Sequence, residues 1–352
     1  MLFDKLLREN FLPSSLADWR HLAQAEGGHS NTWHTADGLS LSAYYTQPPA
    51  QQNFLQTFHH RTAHTWRNMA HVTVHDEQHA NDAALRHLHH EADGILFTLT
   101  KPDVNFSTLL KNISWPHCAL SFVVTHAAQA SQLHNYINSS YPGLKLSGCV
   151  FHKSESSALL PIHGVVHYTS LGITVPSSTP AVEIADALIK ATRIINHHVQ
   201  AGVLVDNIIE HIGFCINIEQ DFLQSIAKLK TLRMLWYQVT QAYGVNYLPE
   251  NLPMHTLSPA WHNEAYEPQG NLIKGTLAAA AAMLGGCNAH TTMPDDESDM
   301  MQPRIARNTA MILHDEAHLL QVSDALAGAF VIEHMVDALA QKSWQLFTQQ
   351  SQ

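Results

Sequence analysis

Leu277-Ala-Ala-Ala-Ala-Ala-Met-Leu-Gly-Gly-Cys-Asn-Ala-His-Thr-Thr292, followed by Arg304-Ile-Ala-Arg-Asn308, is the stretch on which the reading of the fold turns. Ile273, Leu277, Ala281 and Leu284 recur at helical spacing. The pair Gly285-Gly286 ends that helix, because glycine enters left-handed φ/ψ at little cost. A short strand over Cys287–Thr291 then carries His290 to its C-terminal end, and a second long helix begins near Pro303. Helix, glycine stop, strand and helix in that order make the last unit of an alternating α/β chain.

Working back from it, the same alternation begins near residue 66. Strands are expected at His71–His75, Gly94–Thr100, Cys118–Thr125, Leu146–His152, Gly164–Tyr168, Gly213–Ile218, Leu252–Thr256 and Cys287–Thr291. Helices are expected at Ala80–His90, Asn105–Asn112, Ala127–Ser139, Ala181–His198, Gln220–Tyr243, Asn271–Leu284, Pro303–Leu320 and Val331–Phe347. Eight such units predict a (β/α)8 TIM barrel over 66–348, with parallel strands joined by right-handed crossovers. An open doubly wound sheet is the alternative, but no Gly-rich phosphate fingerprint follows the first strand. Phe222, Ile226, Leu229, Leu232, Trp236 and Val239 give one helix a continuous apolar stripe. Residues 1–65 read as an N-terminal arm: a helix capped by Ser14 or Ser15 before Trp19, a hairpin turning at Asp37-Gly38, and a Pro/Gln linker. Residues 349–352 read as a frayed tail.

The composition narrows the function classes. The net charge of −11 and the scarcity of basic runs give nucleic acid or an anionic membrane little to hold. The longest apolar run, Thr276–Gly286, is too short to span a bilayer. Cys118, Cys149, Cys215 and Cys287 form no CxxC pair and read as free thiols of a reducing compartment, so a cytoplasmic location is expected. The chain has 27 histidines, and at that abundance pairs such as His314 and His318 arise by chance, so no metal site is predicted. There is no P-loop and no G-x-S-x-G elbow.

The candidate ligand-contacting residues are His255, Trp261, Gln269, Asn271, His290 and Thr291. All lie on or just after the seventh and eighth barrel strands, where side chains can converge at the C-terminal mouth. A neutral histidine there can donate a hydrogen bond to a carbonyl oxygen, though a histidine plugging the filled interior is the competing role. His167 and Tyr168 are expected just after the fifth strand. Glu183, Asp186, Arg304 and Arg307 are expected on helix surfaces.

The alanine-rich helix, Gly285-Gly286, His290-Thr291, the acidic Asp295-Asp296 and Arg304 to Thr309 together resemble the last barrel unit of the methylmalonyl-CoA mutase family. Gly213-Phe214 to Trp236 resembles a second signature of that family, and weaker similarity runs through Phe11-Leu-Pro, Asp37-Gly38-Leu39, Trp66-Arg67 and Asn81 to Leu85. The resemblance implies a barrel that threads the pantetheine arm of coenzyme A along its axis, with adenosylcobalamin held over the mouth by a separate C-terminal domain. The cofactor carries the radical rearrangement.

This sequence departs from the family's catalytic chains. It ends at Gln352 without a D-x-H-x-x-G signature, so the cobalamin domain is expected to be missing. Arg61-Thr-Ala-His-Thr65 lacks the tyrosine that precedes the tryptophan. His167-Tyr-Thr-Ser-Leu-Gly172 lacks the glutamate of H-x-x-E-A-G, and Met254-His-Thr-Leu-Ser-Pro-Ala-Trp261 lacks an arginine. The expectation is a small, non-catalytic subunit that binds no cofactor itself and has no catalytic residues of its own. Its expected partner is a large catalytic subunit in a heterodimer, or another cobalamin-binding chain, with acyl-CoA as a further ligand. Two alternatives stay open. One is an active acyl-CoA mutase barrel using cobalamin supplied in trans, with His167, His255 or His290 on the thioester carbonyl. The other is a metal-dependent barrel enzyme using His314 and His318.

Overall fold

The structure, a computed structural model, describes residues 15–27, 32–49, 66–153, 166–219, 221–258, 268–319 and 324–350, with the side chains of 166, 167, 268 and 269 excepted. Ten strands and ten α-helices are described. Helix α1 (Leu16–Gly27) and the hairpin β1 (Thr32–His34) and β2 (Ser40–Ser42) come from the arm. Barrel elements follow: β3 (Arg67–Val74), α2 (Glu77–His89), β4 (Gly94–Leu99), α3 (Phe106–Leu109), β5 (Ala119–Val124), α4 (Ala127–Ser140), β6 (Lys145–His152) and β7 (Val166–Thr174). Next come α5 (Pro180–Gln200), α6 (Val205–Ile209), β8 (Ile212–Asn217), α7 (Phe222–Ala242), β9 (Met254–Ser258), α8 (Pro268–Gly285), β10 (Ala289–Thr292), α9 (Met301–Asp315) and α10 (Phe330–Gln350).

Strands β3 to β10 close into one parallel barrel, β10 pairing with both β9 and β3. This is the (β/α)8 barrel the alternation predicts. Helix α8 stops as expected. Gly286 has φ +87, its N–H donates to Met283 O at 3.0 Å, and Cys287 N–H donates to Ala282 O at 3.0 Å, a Schellman end.

The buried side of α8 is not the stripe read from the sequence. Ile273 and Leu277 are 63% and 51% exposed, while Ala278, Ala279, Ala281 and Ala282 are buried. The small side brings α8 close to α7, where a Cβ on Gly285 would stand 2.7 Å from Leu229 Cδ1. The stripe expected on α7 is present: Ile226, Leu229, Leu232, Trp236 and Val239 are buried, and Phe222 packs half-buried against the same core.

Two strands sit differently from expectation. β3 starts four residues earlier, at Arg67, because its polar opening is satisfied by tertiary contacts. Asn68 N–H donates to Asp93 at 2.7 Å and Asn68 Nδ2 to Arg307 O at 2.9 Å. β7 runs on to Thr174, so His167 and Tyr168 lie inside the strand rather than after it. Tyr168 points outward and meets Trp115 edge-on at 5.4 Å. The tail is shorter than expected, since α10 continues to Gln350.

The hairpin of the arm docks on the barrel. Asp37 accepts from Ala181 N–H at the start of α5, Leu41 is buried among the barrel helices, and Tyr45 stacks on His334 of α10 at 3.9 Å. Ser15 and Asp18 cap α1 reciprocally. Residues 1–14 and the linker after residue 49 lie outside the described residues. Among the described residues no helix is long and apolar enough to cross a membrane.

Candidate functional site

Strand alternation decides which side chains enter the barrel. Leu96, Val123, Cys149, Phe151 and Cys215 form one buried cluster, with Leu257 packed against it. They come from β4, β5, β6, β8 and β9 and fill the axis. Gly172 leaves room for Phe151, since a Cβ there would stand 2.6 Å from both Phe151 Cδ1 and Cys149 Sγ. Burial pushes the Cys149 thiol up, and pushes that of Cys215 up to about 12, so neither is a thiolate. All four cysteines are free, Cys118 being the half-exposed one.

His255 pairs in register with Cys215 and so shares its inward side. Its Nε2 lies 2.8 Å from Thr291 Oγ1, and its ring meets Phe151 edge-on at 5.5 Å. Burial, with smaller contributions from His290 and His71, holds its pKa down to about 3, so the ring is neutral. The fold therefore unites His255 with Thr291, but not with His290.

His290 pairs in register with Thr256 and Asn68, on the helix-facing side of the sheet. It is 0% exposed, its Nδ1 lies 2.9 Å from Thr256 Oγ1, and its Nε2 has no partner among the described residues. Burial lowers its pKa to about 3. Asn271 ties the start of α8 to the loop after β10, donating to Asp295 at 2.8 Å. Trp261 lies outside the described residues. Gln269 falls within α8, but its side chain is outside them, as are Arg61 to Thr65 and the side chain of His167.

A polar group that the sequence did not single out occupies the mouth. His71 on β3 contacts the carboxylate of Glu297 through Nδ1 and Thr98 Oγ1 through Nε2, the latter at 2.9 Å. Thr73 donates to the same carboxylate from its N–H at 3.2 Å and its hydroxyl at 3.0 Å. Glu297 keeps 35% of its side chain exposed; its partial burial alone would raise its pKa, but the His71 and Thr73 contacts outweigh that and hold it below the ordinary value. The available signal was the acidic run Asp295-Asp-Glu-Ser-Asp299. Nothing local says which of its carboxylates turns inward.

Across the barrel, Glu183 is not the helix-surface group expected. Glu183 and Lys228 form a buried ion pair at 2.7 Å, with side chains 2% and 1% exposed. Lys228 also donates to Asn217 O at 2.7 Å, and Glu183 accepts from Ser178 N–H at 2.8 Å, binding the ends of β7 and β8 together. Burial holds the Glu183 carboxyl above its ordinary range despite the cation. Lys228→Met leaves a buried, uncompensated carboxylate and lowers unfolding free energy in urea by about 3–5 kcal/mol. Lys228→Met with Glu183→Leu recovers most of that loss.

Arg307 is likewise buried, not a surface residue, its backbone carbonyl held by Asn68 and its guanidinium against Asn308 and His87. His314 and His318 do not share a helix face: α9 ends at Asp315, and His318 lies beyond it with φ +54. No group of three or more potential metal ligands occurs among the described residues.

Fold and site define a (β/α)8 barrel protein with a side-chain-filled axis and an internally hydrogen-bonded mouth. The sequence pattern of the methylmalonyl-CoA mutase family matches residues 164–351, more than half of the chain. The chain belongs to that family. It is 24% identical to the methylmalonyl-CoA mutase small subunit of Porphyromonas gingivalis, over 90% of this chain and 58% of that one. It is 27% identical to the small subunit from Propionibacterium freudenreichii subsp. shermanii, over 47% of this chain and 27% of that one. Against the methylmalonyl-CoA mutase of Escherichia coli it is 29% identical over 46% of this chain and 23% of that one. The chain thus spans less than two thirds of the length of these relatives. Among solved structures it is similar to Yersinia pestis dihydropteroate synthase, with TM-score 0.40 and 14% identity over 82% of this chain and 99% of that one.

Proposed function

We propose that this chain is a barrel subunit of an adenosylcobalamin-dependent acyl-CoA mutase of the methylmalonyl-CoA type. In this reading it is the small, non-catalytic subunit, and it supports a catalytic large chain in a heterodimer. The observation that carries the reading is the filled axis. Phe151, Leu96, Val123, Cys149 and Cys215 occupy the line along which the family's barrels are expected to pass the pantetheine arm. The relatives named small subunits favour the same role. Four free thiols fit a cytoplasmic location.

Adenosylcobalamin would supply the radical chemistry of such an enzyme. The described mouth does not fit that group: His71, Thr73, Thr98 and Glu297 are hydrogen-bonded to one another, as are His255 and Thr291. The cofactor therefore belongs to the partner in this reading. The test is co-expression with a large mutase chain. A stable one-to-one complex with methylmalonyl-CoA mutase activity, and none from this chain alone with added adenosylcobalamin, is the expected result. Turnover by the isolated chain would overturn the scaffold role.

A further inference from the structure

We propose that Glu297, His71 and Thr98 form a hydroxyl-activating relay at the mouth that accepts an acyl group from a thioester. The three stand in the order carboxylate, imidazole, hydroxyl. Glu297, whose side chain stays 35% exposed, is also held from a second side by the Thr73 N–H and hydroxyl, which fixes it against His71 Nδ1. A neutral imidazole donates from one nitrogen and accepts at the other. With Nδ1–H turned to the carboxylate, Nε2 takes the proton of the Thr98 hydroxyl at 2.9 Å. That is the division of roles by which a base and its orienting carboxylate activate a hydroxyl nucleophile.

The position suits the role. Thr73 and Thr98 pair one residue before the ends of β3 and β4, at the face of the barrel where chemistry is placed. Both are half-buried, whereas His71 and its register partner Leu96 are buried. The apolar axis cluster closes the barrel below, so the relay faces the mouth and not a channel. Of the inward polar pairs described, His255 with Thr291 lacks a carboxylate; only here does an acid complete the series.

In the step, Thr98 Oγ attacks the thioester carbonyl carbon and its proton moves to His71 Nε2. The C–S bond breaks, the leaving sulfur takes that proton, and an ester remains on Thr98. Water, deprotonated by the same imidazole, then releases the carboxylic acid and restores the threonine. A thioester suits a hydroxyl of modest reactivity because its carbonyl is activated and its thiol leaves readily. The choice of thioester over other activated acyl groups rests on the proposed subunit role; the relay geometry does not.

The purified chain is incubated with acetyl-CoA, thiol release is followed, and peptides are mapped by mass. The expected result is acetyl on Thr98 and thiol release that falls by at least ~10²-fold in Thr98→Val and His71→Gln, with Thr98→Ser retaining it. Circular dichroism melts of each variant separate loss of reaction from loss of fold. No thiol release from the unsubstituted chain, or equal thiol release from folded Thr98→Val, overturns the proposal. Complex formation with the large chain is measured without acyl-CoA, so failure of the subunit role reads out separately.

Discussion

Between pH 6.5 and pH 5 the protein loses roughly 6 kcal/mol of stability, which is comparable with the whole unfolding free energy of a typical domain. The cause is four histidines that burial keeps neutral. His255 and His290 are held down to about 3, chiefly by burial, His152 to about 4 by burial, and His87 to about 4 by burial and the Arg307 and Arg86 charges. Each folded-state value is depressed below the ordinary 6.5. Below pH 6.5 the unfolded chain therefore takes up a proton that the folded chain refuses. Their contribution is fully present above pH 6.5 and declines as pH falls toward 3–4, by about 1.4 kcal/mol per pH unit per histidine. Urea unfolding at pH 7, 6 and 5 measures it. His290→Gln should lower the slope by about a quarter.

Phe151→Ala should cost about 3–5 kcal/mol. The ring is 1% exposed at the barrel axis, and its edge-on contact with His255 would be lost. The neighbours cannot collapse into the void, because each sits on a different strand of a closed cylinder. Phe151→Leu, which keeps most of the volume, costs less. The midpoint of urea unfolding with unchanged m reads both. The same variant bears on the subunit role: a scaffold that has lost stability but still folds should keep its partner, since the substitution touches no surface.

The barrel was legible from local pattern alone. Gly286 with its left-handed φ, the apolar positions of α7 and the eight strand–helix units are each written in short windows of sequence. The N-terminal hairpin was legible too, from Asp37-Gly38. The site was not. His255 and His290 look equivalent as strand-end histidines, yet they face opposite sides of the sheet because their positions differ in pleat parity against each other's strands. One residue of register separates a side chain beside the axis from one under a helix.

What the sequence by itself determined is the order of units, the closure they require and the family to which the chain belongs, because periodicity and glycine stops act over a few residues. What only the tertiary structure decided is where the polar groups go. Glu183 and Lys228 are 45 residues apart, and His71 and Glu297 are 226 apart. Glu183 reads locally as a helix-surface group and Glu297 as one of several loop carboxylates. A charged or polar side chain can be buried only when a distant partner satisfies it, and no local pattern records that partner.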